Sequence, residues 1–261
     1  MPSPQKLQNQ TLRLNKFLAE RLGVSRREAD ELISAGKITL DGKIATIGTR
    51  ITIDKKTKVC YNNKTVPLQT DFLYLAFNKP VGYVCSRRAQ GNAPTLYELL
   101  PKKYQNLKTV GRLDKDSSGL ILLTNDGDFA FQQTHPKFRK EKVYEVELDK
   151  PLQPLHQQMI SDFGVTLPDG PSKFTVVTST GDRLGKRDPA EHPKGGAAGR
   201  KSLAGPVERT YFTVILTEGR NRQIRRTFAA LGYEVTKLHR TQFGKYQLGT
   251  LSPGQYQEIQ A

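Results

Sequence analysis

The chain is poor in the residues that build cross-links and metal cages. Among 261 residues it has two cysteines, Cys60 and Cys85, and four histidines. Two cysteines cannot make a disulfide framework, and with scattered histidines they give no zinc-ligand spacing. Both read as reduced thiols of a cytoplasmic protein. Apolar runs are short as well. No stretch approaches the ~18 apolar residues that a membrane-spanning helix needs. The opening "MPSPQKLQNQT" lacks the apolar centre of a signal peptide. A cytoplasmic location with no membrane partner is therefore expected. There is no Walker-type phosphate loop and no dinucleotide fingerprint in a strand–turn–helix context, so no cofactor is expected. Acidic residues are few beside basic ones, 25 Asp and Glu against 41 Lys and Arg, for a net charge of +16. The basic residues sit in several structured segments rather than one tail, which points to a polyanionic partner, nucleic acid first. The plainer reading is charge that only keeps the chain soluble.

Apolar residues make up 36% of the sequence, enough for a real core, and the length favours one large domain with a small one beside it. In the first 50 residues Leu14, Phe17, Leu18 and Leu22 recur at helical spacing up to Gly23. Ser25 and Glu28 form a capping-box pattern for a second helix with Ala29, Leu32 and Ile33 on its buried face, stopped at Gly36. "KITLDGKIA" then reads as a hairpin about Asp41-Gly42. Arg21, Arg26, Arg27 and Lys37 cluster near the helix junction, where they can meet phosphates. Residues 54–72 read as a last strand and a linker, which puts the small domain at 12–66 and a larger one at 72–258.

In the larger domain, strands are expected at 72–78, 82–86, 119–124, 142–149, 210–217 and 235–248, and helices at 94–100, 127–134, 152–162 and 220–231. This is not the alternation of a doubly wound parallel sheet. It fits an α+β class, with a mixed, largely antiparallel sheet flanked by helices. Residues 181–206 are rich in Gly, Pro and charge and read as a flexible insertion. No additional apolar stripe is visible, so a monomer is expected.

The stretch "GRLDKDSSGLILLTND" (111–126) has three readings. As a calcium loop it matches at Asp114, Asp116, Ser118 and Gly119, but Asn125 stands where a bidentate Glu is required and no entering helix precedes it. It is otherwise a plain charged turn, or a mount for a catalytic carboxylate, since "SSG" feeds a strand apolar enough to hold Asp114 rigid. Arg112 would then face a phosphate or the space left by a displaced base. In "EKVYEVEL", alternation puts Val143 on one face and Tyr144 on the other, so Tyr144 is either a core aromatic or a base-stacking ring. In "TEGRNRQIRRTFAALGYEV", Ile224, Phe228 and Leu231 form a buried stripe with Arg222 and Arg226 roughly opposite, and Arg222 is expected to contact substrate RNA. Arg225 lies at the border, within reach of an interior carboxylate.

Two resemblances follow from these motifs. Residues 12–44 resemble the small RNA-binding domain of the ribosomal-protein-S-four type. "NKPVGYVCS", "VGRLDKDSSGLILLTNDGD", "EKVYEVEL" and "EGRNRQIRRTFAALGYEVTKLHR" resemble the RsuA-type family of pseudouridine synthases, and with the small domain the likeness spans residues 12–256. The 181–206 insertion departs from it. The resemblance implies isomerisation of a uridine in ribosomal RNA or a ribosome-assembly intermediate, without cofactor. It places the nucleophile on Asp114, the active-site tyrosine on Tyr144, the arginine that pairs with the nucleophile on Arg225, and the residue that holds the base out of its stack on Arg112. Asn78 and Lys79 are expected at the pocket rim or on RNA, and Asp116 and Asp126 in turn and capping roles. A non-catalytic RNA-binding assembly factor is the competing expectation.

Overall fold

The computed structural model describes residues 11–54, 56–68, 71–87, 91–178 and 210–261. The 181–206 insertion lies outside the described residues. The first elements are β1 (Thr11–Arg13), α1 (Leu14–Arg21) and α2 (Arg26–Ser34), followed by β2 (Ile38–Leu40), β3 (Lys43–Ile44), β4 (Arg50–Thr52), β5 (Val59–Tyr61) and β6 (Lys64–Thr65). The Ser25 hydroxyl accepts from the Glu28 amide, and the Glu28 carboxylate accepts from the Ser25 amide, so the capping box is closed. Asp41 and Gly42 both have positive φ, which the tight β2–β3 hairpin requires. Leu14, Phe17, Leu18, Ala29, Ile33, Ile38 and Val59 form one small core. Arg26, Arg27 and Lys37 are exposed. Arg21 departs from the expected phosphate contact. Its guanidinium folds back to donate to the Leu68 carbonyl at 2.9 and 3.2 Å and is desolvated there.

The rest of the chain forms β7 (Tyr74–Lys79), β8 (Lys108–Val110), β9 (Ser118–Thr124), α3 (Gly127–Thr134), β10 (Lys142–Leu148), α4 (Pro154–Gln158), β11 (Val165–Leu167), β12 (Gly170–Ser172), β13 (Thr175–Thr178), β14 (Tyr211–Leu216), α5 (Gln223–Ala230), β15 (Val235–Phe243), β16 (Tyr246–Gln247) and β17 (Tyr256–Glu258). The main sheet runs β13-β14-β10-β15-β9-β7-β17, with β16 on β15 and β8 on β9. Among the described strands only the β9–β15 pairing is parallel, so the sheet is mixed and largely antiparallel, and the chain is α+β. Both faces of β7 and β9 are buried. Leu75, Phe77, Ile121 and Leu123 pack on one side and Ala76, Leu120 and Leu122 on the other, which is why "LILL" reads as an unbroken apolar run. On α5, Ile224 and Phe228 are buried in the first core, and Phe129 of α3 is buried in the second.

Several elements differ from expectation for local reasons. Residues 82–86 do not form a strand. Val84 makes one isolated bridge, while the Gly82 amide and the Cys85 sulfur turn to the 113–115 loop. Residues 94–100 form a short 3-10 turn, Leu96–Leu99, fixed by a Thr95–Glu98 capping box. Helix 152–162 splits into α4 and a wider π turn, Met159–Phe163, ended by Gly164 at φ 83°. Helix α5 starts late because Arg222 adopts a left-handed conformation, φ 47°.

One contact fixes the centre of the sheet. Gly119 has φ 105°, and a Cβ built on it would lie 2.2 Å from the Arg240 carbonyl oxygen. Gly119→Ala is therefore expected to cost on the order of 3 kcal/mol. At about 2–4 °C per kcal/mol for a chain of this size, the midpoint of thermal unfolding should fall by roughly 6–12 °C. Differential scanning calorimetry checks this, and an unchanged midpoint would mean that β9 and β15 are not so closely apposed.

Candidate active site

Asp114 lies in the loop between β8 and β9, and that loop is held from below by groups the sequence placed elsewhere. Lys79, expected at a rim, is fully buried and donates from Nζ to the Ser117 carbonyl at 2.7 Å and the Pro80 carbonyl at 2.9 Å. Burial lowers its pKa below the usual lysine value. Asn78 is also buried and donates to the Leu251 carbonyl at 2.7 Å. The rim and RNA expectations for Asn78 and Lys79 are thus corrected. β7 is an interior strand whose last two side chains brace neighbouring loops. Cys85 Sγ lies 3.3 Å from both the amide and the carbonyl of Leu113, and burial pushes its thiol up. Leu113 itself is part of the core, so Asp114 follows a residue that cannot move without opening it.

The two carboxylates of the loop have different surroundings. Asp116 takes a two-pronged hydrogen bond from Arg222, 2.9 Å on each arm, and lies 3.3 Å from Arg225 Nε. The Arg222 hydrogen bond, the largest cause, holds the Asp116 carboxyl below the usual carboxylate range. Arg225 also donates to the backbone carbonyls of Asp116, at 2.7 Å, and Val235. The expected Arg225–Asp114 pair is therefore corrected. The left-handed turn at Arg222 sends that side chain across the loop mouth, and Arg225 runs beneath it to Asp116. Asp114 keeps one ion-pair contact among the described residues, Arg222 Nη1 at 3.9 Å, and its carboxylate has no hydrogen-bond partner among them. The expected turn and capping roles divide. Asp126 caps α3 by accepting from the Asp128 and Phe129 amides, whereas Asp116 anchors arginines. Asn125, at the last position of the calcium-loop pattern, has its side chain tied to the backbone of Leu73 and Asp71.

Asp114 opens into a cavity of about 220 Å³ shared with Arg112, Tyr144 and Arg222. That is below the ~300–1,000 Å³ of sites for drug-sized ligands and suits a smaller group. Its floor comes from β10 and β15. These strands pair as Tyr144↔Arg240 and Val143↔Gln242, so Thr241 is an extra, bulged residue, and a second irregularity lies at Leu148↔Val235. The inward residues of β15 are in consequence Val235, Leu238, Arg240 and Phe243, spaced by three, two and three. Without the bulge, strict alternation would place Arg240 and Phe243 on opposite faces. Arg240, 2% exposed, donates from Nε to the Leu120 carbonyl at 2.7 Å and from Nη1 to the Tyr144 hydroxyl at 3.4 Å. Lys142, two residues before Tyr144 and so on its face, also lines the cavity. Neither Arg240 nor Lys142 was anticipated. Strand parity from Tyr144 would have found Lys142, but the bulge hides Arg240. Arg226 lies outside this group, paired with Asp169.

Comparison with known proteins identifies the family of the chain. The family model described as RNA pseudouridylate synthase matches residues 73–230, and an S4 domain model matches 12–54. A ribosomal large subunit pseudouridine synthase B of Yersinia pestis is 31% identical over 90% of this chain and 68% of its own length. A ribosomal small subunit pseudouridine synthase A of Pasteurella multocida is 30% identical over 96% of this chain and 97% of its own. A crystal structure of a pseudouridylate synthase superposes with a TM-score of 0.61 at 26% identity, covering 95% and 96% of the two chains. With a catalytic-domain match over more than half its length and relatives that span nearly all of it, the chain belongs to the RNA pseudouridylate synthase family.

Proposed function

We propose that this protein isomerises a uridine of ribosomal RNA to pseudouridine in the cytoplasm, with Asp114 as the nucleophile. The observation that carries the assignment is the unequal treatment of two neighbouring carboxylates. Asp116 takes up the arginine hydrogen bonds, while the Asp114 carboxylate, with one ion-pair contact to Arg222 at 3.9 Å and no hydrogen bond among the described residues, lines the cavity together with Tyr144. The relatives are named for the large and the small ribosomal subunit, which supports ribosomal RNA as the substrate class. In this reading residues 12–66 grip RNA through Arg26, Arg27 and Lys37, and residues 72–258 carry the chemistry.

The target base must leave its stack, at a cost of a few kcal/mol that phosphate contacts offset. Arg112, exposed at the cavity wall, occupies the space the base vacates. Asp114 attacks the nucleoside, and the bond from ribose to ring nitrogen breaks. The uracil rotates and rejoins the ribose through carbon, the bond to Asp114 breaks to restore the free carboxylate, and the ring loses one proton at that carbon and gains one at nitrogen. The sum is an isomerisation, so no co-reactant is required. Tyr144 stacks on the uracil, its hydroxyl fixed by Arg240. Arg222 and Arg225 hold the loop chiefly through hydrogen bonds to Asp116, and Arg222 keeps only a longer contact with the nucleophile.

Asp114→Asn is expected to retain RNA affinity within about twofold and to lose isomerisation. A pseudouridine map of ribosomal RNA from cells lacking the gene, complemented with wild type or this variant, reads both the reaction and its position. An intact map with impaired ribosome assembly would instead favour a non-catalytic assembly factor. Asp116→Asn is expected to release Arg222 and Arg225 and lower single-turnover rates about tenfold while affinity is kept. The Asp116 pair forms with the carboxyl ionised, so it is present at neutral pH and is lost only as pH falls through its lowered value. The stability difference between Asp116→Asn and wild type should therefore shrink in that acid range, as denaturant unfolding at several pH values will show.

A further inference from the structure

Two buried cations on the cavity floor have no close ion pair among the described residues. Lys142 is 9% exposed and Arg240 2%. Among the described residues no carboxylate lies within 4 Å of either. Lys142 Nζ has two long contacts, to the Lys140 carbonyl at 3.3 Å and the Glu218 carbonyl at 3.4 Å, for its three donors. The Glu218 carboxylate is engaged elsewhere, with Arg220 and Gln223. Arg240 spends Nε and Nη1 inside the protein, and its buried Nη2 has no hydrogen-bond partner among the described residues. Both cations lie beside the Phe243 ring, at 5.3 and 4.9 Å from its centroid. A ring face eases one positive charge but does not neutralise two.

We propose that Lys142 is the phosphate contact of the active site, an anion subsite that holds a phosphodiester of the target nucleotide while Arg240 supports the positive potential from beneath. This inference deepens the proposed function and rests on it. Burying an ammonium that Glu218 compensates only in part is costly, and Lys142 shows it: its pKa falls to about 8, first through burial and then through Arg240, with Glu218 opposing. An arriving anion removes that cost. Uracil carbonyls and ribose hydroxyls are neutral, so the phosphodiester is the part of a nucleotide that brings a full charge. The exposed Gly219 lies directly beside Lys142, and a Cβ there would stand 3.8 Å from its Cε. That side of the ammonium is thus covered by backbone without a bulky side chain. Lys142 also shares a strand face with Tyr144, so a phosphate on the first and a base on the second belong to one nucleotide.

The test uses the full chain, lysine-labelled with 13C and 15N, with the Lys142 ammonium resonance assigned by its loss in Lys142→Arg. Inorganic phosphate, uridine 5′-monophosphate, uridine 3′-monophosphate and uridine are titrated in turn. Phosphate and at least one monophosphate should raise the Lys142 pKa by about one unit, the equivalent of a tenfold preference of the anion for the charged amine. Uridine should leave it in place. The 31P resonance of the bound monophosphate should lose its shift in Lys142→Gln and regain it in Lys142→Arg. Equal responses to uridine and its monophosphates would overturn the proposal, as would silence towards every phosphate up to tens of millimolar. Turnover does not enter this readout. A silent Lys142 in an enzyme that still forms pseudouridine rejects the subsite alone, and a responsive Lys142 with no pseudouridine in the cellular map rejects the reaction alone.

Discussion

Gly119 and Arg240 share a volume that no side chain can enter, and the site depends on that close approach. It is where β15 runs parallel to β9, the one parallel pairing among the described strands of the sheet. On the β9 side the chain has just left the Asp114 loop. On the β15 side it is about to bulge at Thr241, which turns Arg240 onto the face of Tyr144. A single glycine thus brings the carboxylate loop and the cationic floor together, although they are more than 100 residues apart in sequence. The cost is local: a strand position without a side chain, and a backbone conformation that other residues rarely adopt.

The loop above this crossing is fixed by charge from two directions. Lys79 reaches it from the core and Arg225 from the helix side, and both donate to backbone carbonyls. Backbone acceptors cannot rotate away, so these bonds set the path of residues 114–118 rather than the rotamer of one side chain. The carboxylate at 116 then absorbs the remaining guanidinium capacity of Arg222. Asp114 is left with no hydrogen bond to its carboxylate among the described residues and only the longer contact to Arg222.

Much of this was legible in the sequence because it is local. The Ser25–Glu28 capping box, the Asp41-Gly42 hairpin, helix 127–134 and the alternation around Tyr144 all follow from short-range rules, and all are present. What was not legible depends on distant pairing. Lys79 looks like a surface lysine until β7 is known to be interior, and Asn78 likewise. Arg225 was expected to reach the nucleophile, yet a left-handed residue at 222 diverted it to Asp116. Arg240 escaped notice because two irregularities on β15 break the period of two on which strand reading relies. Strands of three residues such as β8 and β17 carry too little pattern to find at all.

The junction between the small module and the larger domain has a consequence of its own. Lys16 pairs with Asp128, and Lys108 donates to the Val24 carbonyl at 2.7 Å. Glu20, its carboxyl pushed up by burial, packs against Gly127. This junction relies in part on the same kind of force that draws RNA to the basic surface, and an exposed ion pair is screened by salt as readily as a phosphate contact is. Ionic strength therefore acts on the molecule in two places, on its contacts with RNA and on the Lys16–Asp128 pair at the junction. The slope of RNA affinity against salt in the intact chain therefore counts released counterions together with the screening of that junction pair.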